Sequence, residues 1–131
     1  MLKLALACLT LTTCEEIITP LPPKNHTVTF SVNVSKPCRF SVLALANGLG
    51  GGADSEANWT RTDSATENAM GSISASIDAS FDSSCYEGLV AQCKIAVDGV
   101  VRKQENAAIH MDGRWGTIRR FRCTAYYDSA N

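Results

Sequence analysis

Hydrophobic and polar residues alternate with a period of two along most of this chain. Val28, Phe30, Val32 and Val34 interleave with Thr29, Ser31, Asn33 and Ser35, the pattern of a strand with one face on a core and the other in water. Residues 72–81, SISASIDASF, set Ile73, Ala75, Ile77, Ala79 and Phe81 against serine and aspartate; a helix would scatter these five around its circumference. Residues 90–104, VAQCKIAVDGVVRKQ, predict a hairpin. Ala91, Cys93, Ile95 and Val97 share a face, and Asp98-Gly99 suits a type I′ turn, whose two central residues both need positive φ. In residues 117–127 Phe121, Cys123 and Ala125 fall on one side of a last strand.

The remaining segments are less regular. Residues 38–46, CRFSVLALA, predict a strand whose near-continuous apolar end expects burial on both faces. NWTRT predicts a short strand around Trp59, followed by a polar stretch. NGLGGGADSE, residues 47–56, is too rich in glycine to favour regular structure and predicts a mobile loop. About seven strands, no helical period and frequent turn residues predict an all-β fold. The economical architecture is an antiparallel, immunoglobulin-like β-sandwich over residues 27–131.

Composition changes this picture in one respect. The chain has 131 residues, 45% hydrophobic and 19% charged, with a formal net charge of -1. That allows a single domain with one modest core and offers no basic field for nucleic acid. Six cysteines, however, are unusual for a reducing compartment and point to export. The N-terminus agrees. Residues 1–13 carry one lysine, a short apolar run and no acidic residue, which is the order of an export signal. The run is too short for the ~20 residues of a spanning helix. Leu11-Thr12-Thr13-Cys14 resembles a bacterial lipobox, although Thr13 stands where Gly, Ala or Ser is usual. The expectation is a lipid anchor on Cys14, with simple cleavage or an uncleaved anchor as alternatives. Residues 14–26, with three of the four prolines, then predict an extended tether.

Removal of residues 1–13 takes Cys8 away, and lipid on Cys14 leaves four cysteines: Cys38, Cys85, Cys93 and Cys123. Four allow three connectivities. A sandwich offers Cys93 a partner in Cys123, which sits in the apolar alternation of a later strand, and Cys38 then falls to Cys85.

The run AQCKIAVDGVVRKQENAA together with Cys123 resembles the small mycobacterial membrane protein (MmpS) family. Its soluble domain ends in a Cys-[Arg/Lys]-Ile-x-Val-Asp-Gly hairpin and a later Cys. HTVTFSVNV and SISASIDA are also similar to strands of that family. The likeness spans roughly residues 26–125 and is specific at residues 93–99 and Cys123. It implies a disulfide-stabilised sandwich that acts as an accessory to large lipid or siderophore exporters. The chain departs from the family in its short signal-like segment, in Cys38 and Cys85, and in the glycine-rich loop.

Few residues carry candidate chemistry. His26 and His110 lie in no Ser, Cys or metal pattern, no C-x-x-C pair occurs, and the acidic positions after Asp54 lack the downstream Glu of a calcium loop. No enzyme and no cofactor are expected. RWGTIRRFR holds Arg114, Arg120 and Arg122 with Trp115 and no acid, a composition suited to an anionic or aromatic contact. With Trp59 and the glycine loop it forms the candidate binding surface. The expected partner is an envelope or membrane protein, an exporter or a lipid, reached through the N-terminal anchor; nucleic acid is not expected. The rival expectations are a phage-encoded envelope lipoprotein and an uncleaved structural or decoration protein of a virion or surface layer.

Overall fold

Strand alternation, expected from the sequence, extends further in the fold than the pattern alone indicates. The computed structural model describes residues 22–82, 84–85, 88–109 and 119–129. The signal-like segment, Cys14, His110, Arg114 and Trp115 lie outside the described residues. Eight strands occur: β1 (Asn25–Val34), β2 (Phe40–Ala46), β3 (Leu49–Ser55), β4 (Trp59–Thr66), β5 (Ser72–Phe81), β6 (Leu89–Val97), β7 (Val100–Ile109) and β8 (Arg119–Asp128). They form two four-stranded antiparallel sheets of order β4-β1-β6-β7 and β3-β2-β5-β8. The two sheets stack as the expected immunoglobulin-like sandwich. Only β2–β3 and β6–β7 are hairpins within a sheet; the other connections pass from one sheet to the other.

The inner faces are those the alternation marks. Val28, Phe30 and Val32 of β1 and Leu89, Ala91, Cys93, Ile95 and Val97 of β6 meet Phe40, Val42, Ala44, Ile73, Ala75, Ile77, Ala79 and Phe81 of β2 and β5. Phe121, Cys123 and Ala125 of β8 complete the core. The four central strands thus carry most of it. Edge strands β3, β4 and β7 contribute only Ala65 and Ile109 among the fully buried apolar residues.

Two expectations need correction. The glycine-rich segment is strand β3, not a loop. Asn47 (φ 49) and Gly48 (φ 78) make a tight turn that lays residues 49–55 antiparallel on β2, from Ala46↔Leu49 to Phe40↔Ser55. Backbone pairing forms this edge, so it needs no apolar side chains. Gly50 is required there, because a Cβ would lie 2.0 Å from the Ala44 carbonyl oxygen. Strand β2 is also not buried on both faces: Leu43 points outward and is 45% exposed, since no other described strand packs on the outer surface of its sheet. The β6–β7 turn does match expectation, with Asp98 at φ 52 and Gly99 at φ 81.

Both cysteine pairings are as expected. Cys93–Cys123 joins β6 of one sheet to β8 of the other with a Cα–Cα distance of 6.3 Å. Cys38–Cys85 joins the β1–β2 and β5–β6 connections at 4.9 Å. All four residues are buried. Two such bridges mark an oxidising, extracytoplasmic setting. The Cys93→Ala/Cys123→Ala double variant is expected to lose about 3–4 kcal/mol of unfolding free energy, read by urea denaturation. A loss under about 1 kcal/mol would show that the sheets hold without the bridge.

Candidate functional site

A buried histidine and two carboxylates gather at one end of the sandwich. Strand β1 begins there, and the inward phase that buries Val28, Phe30 and Val32 also buries His26. Its Nδ1 lies 2.6 Å from Asp98 Oδ2 and its Nε2 lies 2.6 Å from Glu67 Oε2. Asp98 is fixed by the β6–β7 turn. Its backbone N–H donates to the Thr27 carbonyl at 2.8 Å, and its Oδ1 accepts from the Thr27 N–H at 2.9 Å. Glu67 follows β4, and its N–H donates to the Lys24 carbonyl at 3.0 Å. The Tyr127 ring of β8 stands edge-on to the imidazole with centroids 5.0 Å apart. A bulge in β7, where Ile95 opposes Lys103 and Ala96 opposes Val101, leaves Arg102 as the extra residue. Its guanidinium carbon lies 4.8 Å from the Tyr127 ring centroid.

The chemistry follows from the count of protons. A neutral imidazole has one N–H and one lone pair, so it would aim that lone pair at a carboxylate oxygen. The protonated ring donates to both. The His26 pKa is accordingly raised above 6.5, chiefly by the bond to Asp98 and then by that to Glu67, against the opposing effect of burial. Asp98 and Glu67 are both held below their ordinary values, foremost by His26. With both ring nitrogens occupied, neither is left to act as a base or nucleophile. The group is an ionic clasp that ties β1 to the β4–β5 and β6–β7 connections.

A second feature lies on the outer face of the β3-β2-β5-β8 sheet. Register places Asp54, Ser41, Ser80 and Arg120 in one row across the four strands and Gly52, Leu43, Asp78 and Arg122 in the next. All of these but Arg122 line a shallow depression of about 380 Å³. Within it Ser41 Oγ donates to Asp54 Oδ1 at 2.8 Å. Arg122 Nη2 donates to Asp78 Oδ2 at 3.1 Å.

Trp59, Arg120 and Arg122 do not form one surface. Trp59 opens edge strand β4, is partly buried and packs against the core. The arginines stand on β8, an edge of the other sheet, whose neighbour across the sandwich is β7. The glycine-rich segment, by contrast, lines the same depression as Arg120, with β2 and β5 between them. Above Trp59 lies Arg61, which the sequence does not single out. Its guanidinium carbon is 5.5 Å from the Trp59 ring and 5.8 Å from that of Phe30. Its Nη2 donates to the Ala44 carbonyl at 2.8 Å and its Nη1 to that of Gly51 at 3.2 Å. Arg61 thereby closes the seam between the β4 and β3 edges, and Trp59 serves that closure.

Among the described residues one set of metal-ligand atoms falls close together: Cys93, Glu105 and Cys123 lie within 4.8 Å of one another. The two sulfurs are bonded to each other and cannot ligate as thiolates. Glu105 is paired instead with Lys103 at 2.8 Å. Among the described residues no helix is long and apolar enough to cross a membrane. Comparison of the chain with protein-family models, curated proteins and solved structures finds no match.

The clasp has a pH signature. The raised His26 pKa contributes stability that is complete below 6.5 and is lost as pH rises through the folded value. The depressed carboxylates contribute stability present above 4.5 for Glu67 and 3.8 for Asp98, lost as pH falls through their folded values. The clasp is therefore strongest between pH 4.5 and 6.5. In a pH series of urea denaturation midpoints the wild type is expected to exceed His26→Gln most within that window and progressively less above it. A difference independent of pH would exclude the charged clasp.

Proposed function

We propose that this chain is an exported, membrane-anchored binding domain of the cell envelope that carries out no catalytic step. It serves as an accessory to a larger envelope protein or lipid exporter. The observation that carries the reading is the Cys93–Cys123 bridge, buried between the sheets. A bond in that position is formed and kept outside a reducing compartment. Three features support the finer points. Residues 93–99 and Cys123 resemble the exporter-associated small mycobacterial membrane protein family. Residues 1–14 have the order of a signal ending in a lipidated Cys14. The one histidine among the described residues is committed to two carboxylates, so it offers no nucleophilic or general-base machinery.

A recognition surface for a protein partner exists on the outer face of the β3-β2-β5-β8 sheet. There Leu43 and Arg120 flank a depression built from serine, glycine and aspartate. Small side chains on an uncovered sheet let a partner approach closely, while Arg120 supplies a directional cation.

Intact-mass measurement on protein isolated from the membranes of its natural host tests the reading. The expected mass is that of a chain starting at diacylated Cys14 with two disulfides. An unmodified chain starting at Met1, as a decoration protein would have, or four free thiols in the domain, would overturn it.

A further inference from the structure

The antiparallel order brings five features to one end of the sandwich: the chain as it comes into β1, the β2–β3 turn, the β4–β5 connection, the β6–β7 turn and the close of β8. Large apolar side chains left in solvent concentrate at this end. Met70 of the β4–β5 connection is 84% exposed, Leu49 after the β2–β3 turn 78%, Tyr126 of β8 64% and Val100 after the β6–β7 turn 52%; Val101 is exposed beside it. Among the described residues the other exposed large apolar side chains are Leu43 on the sheet face and Val90 at the opposite end.

These tips are held by a rigid frame. Asn47 donates its side-chain amide to the carbonyls of Thr66 and Ser72, and its Oδ1 accepts from the Ser74 N–H. Asn68 Oδ1 accepts from the backbone N–H groups of Met70 and Ser72. His26 ties the connection bearing Met70 to the turn bearing Val100. Ordering entropy that a contact would otherwise cost is therefore already spent in folding. Charge at this end nearly cancels: His26, Lys24 and Arg102 are cationic, and Glu67, Asp98 and Asp128 are anionic.

We propose that this end of the sandwich rests on a phospholipid surface, with Leu49, Met70 and Val100 entering the headgroup–acyl boundary and Tyr126 at the level of the headgroups. The proposal deepens the membrane-anchored reading and rests on it. Two observations select lipid over a protein partner. The exposed apolar residues are dispersed over four separate segments, β3, the β4–β5 connection, β7 and β8, whereas a protein anchor needs a pocket to fill. The chain also leaves from this same end, so an acyl group on Cys14 lies at most about 40 Å from Asn25 even with the intervening residues fully extended.

The full chain carrying Cys14→Ser, which has no acyl group, tests the proposal with phosphatidylethanolamine/phosphatidylglycerol vesicles containing nitroxide-labelled lipid. Amide resonances of residues 48–50, 69–71 and 99–101 are expected to broaden, and those of Leu43 and Val90 to stay sharp. The Leu49→Ser/Met70→Ser/Val100→Ser variant, altered only at exposed positions, is expected to keep its melting temperature and partition into vesicles roughly tenfold or more weakly. Equal partitioning of the variant, which would assign binding to the N-terminal segment, overturns the proposal. So does broadening centred on Val90, or no partitioning of the Cys14→Ser chain. Capture of an envelope protein that the triple variant loses, without vesicle binding, would assign this end to a protein instead. None of these outcomes alters the mass of the natural chain, so the anchor is judged separately.

Discussion

Two sheets with an alanine-rich interior hold each other weakly, and everything else in this fold is arranged around that constraint. Ala44, Ala46, Ala75, Ala79, Ala91 and Ala125 all face inward, and each brings far less apolar area than a leucine or phenylalanine would. Phe30, Phe40, Phe81 and the β-branched residues of β1, β5 and β6 fill the centre, but β3, β4 and β7 add little. A small core of this kind leaves a thin margin against chain entropy. The Cys93–Cys123 bond crosses the gap between the sheets, and Cys38–Cys85 ties two of the segments that pass between them. Covalent closure outside the cytoplasm thus replaces bulk that the interior lacks.

The edges are closed by other means. On the β3–β4 side, the Arg61 guanidinium lies near the rings of Phe30 and Trp59 and reaches across to carbonyls of β2 and β3. That places a cation over aromatic faces and satisfies backbone acceptors at once. On β7, Lys103 and Glu105 pair with each other at half-buried positions, an arrangement that discourages another strand from adding to that edge. Gly50 of β3 serves a different end: it lets β3 lie against β2 where a Cβ could not fit.

Alternation made most of the fold legible. Strands β1, β5, β6 and β8 follow it closely, because each has one face on the core, and the Asp98-Gly99 turn is fixed by residues that tolerate positive φ. Strand β3 was hidden, since its pairing is a backbone property that glycine-rich sequence does not advertise; Asn47-Gly48 was the available signal. The length of β4 was hidden for a similar reason, its polar residues lying on an edge. Of the candidate site, the four cysteines could be read because inward phase and pairing geometry act together. Trp59 is half-buried against the core, its partner Arg61 becoming visible only once β3 and β4 lie side by side. His26 could have been marked by carrying the β1 alternation one step back, and Asp98 by its turn. Glu67 could not, because 41 residues separate it from His26 and only the sheet register brings it there.

The fastenings are distributed unequally along the long axis. Cys93–Cys123 lies midway along its strands and Cys38–Cys85 at the end remote from β1's first residue, whereas the near end is gripped by an imidazolium between two carboxylates. The middle and far end therefore answer to electron donors and the near end to proton concentration. Alkaline conditions would slacken the near end while both bridges stay locked, and a reductant would do the reverse. A fold of eight strands thus carries two kinds of fastening that respond to different properties of its surroundings.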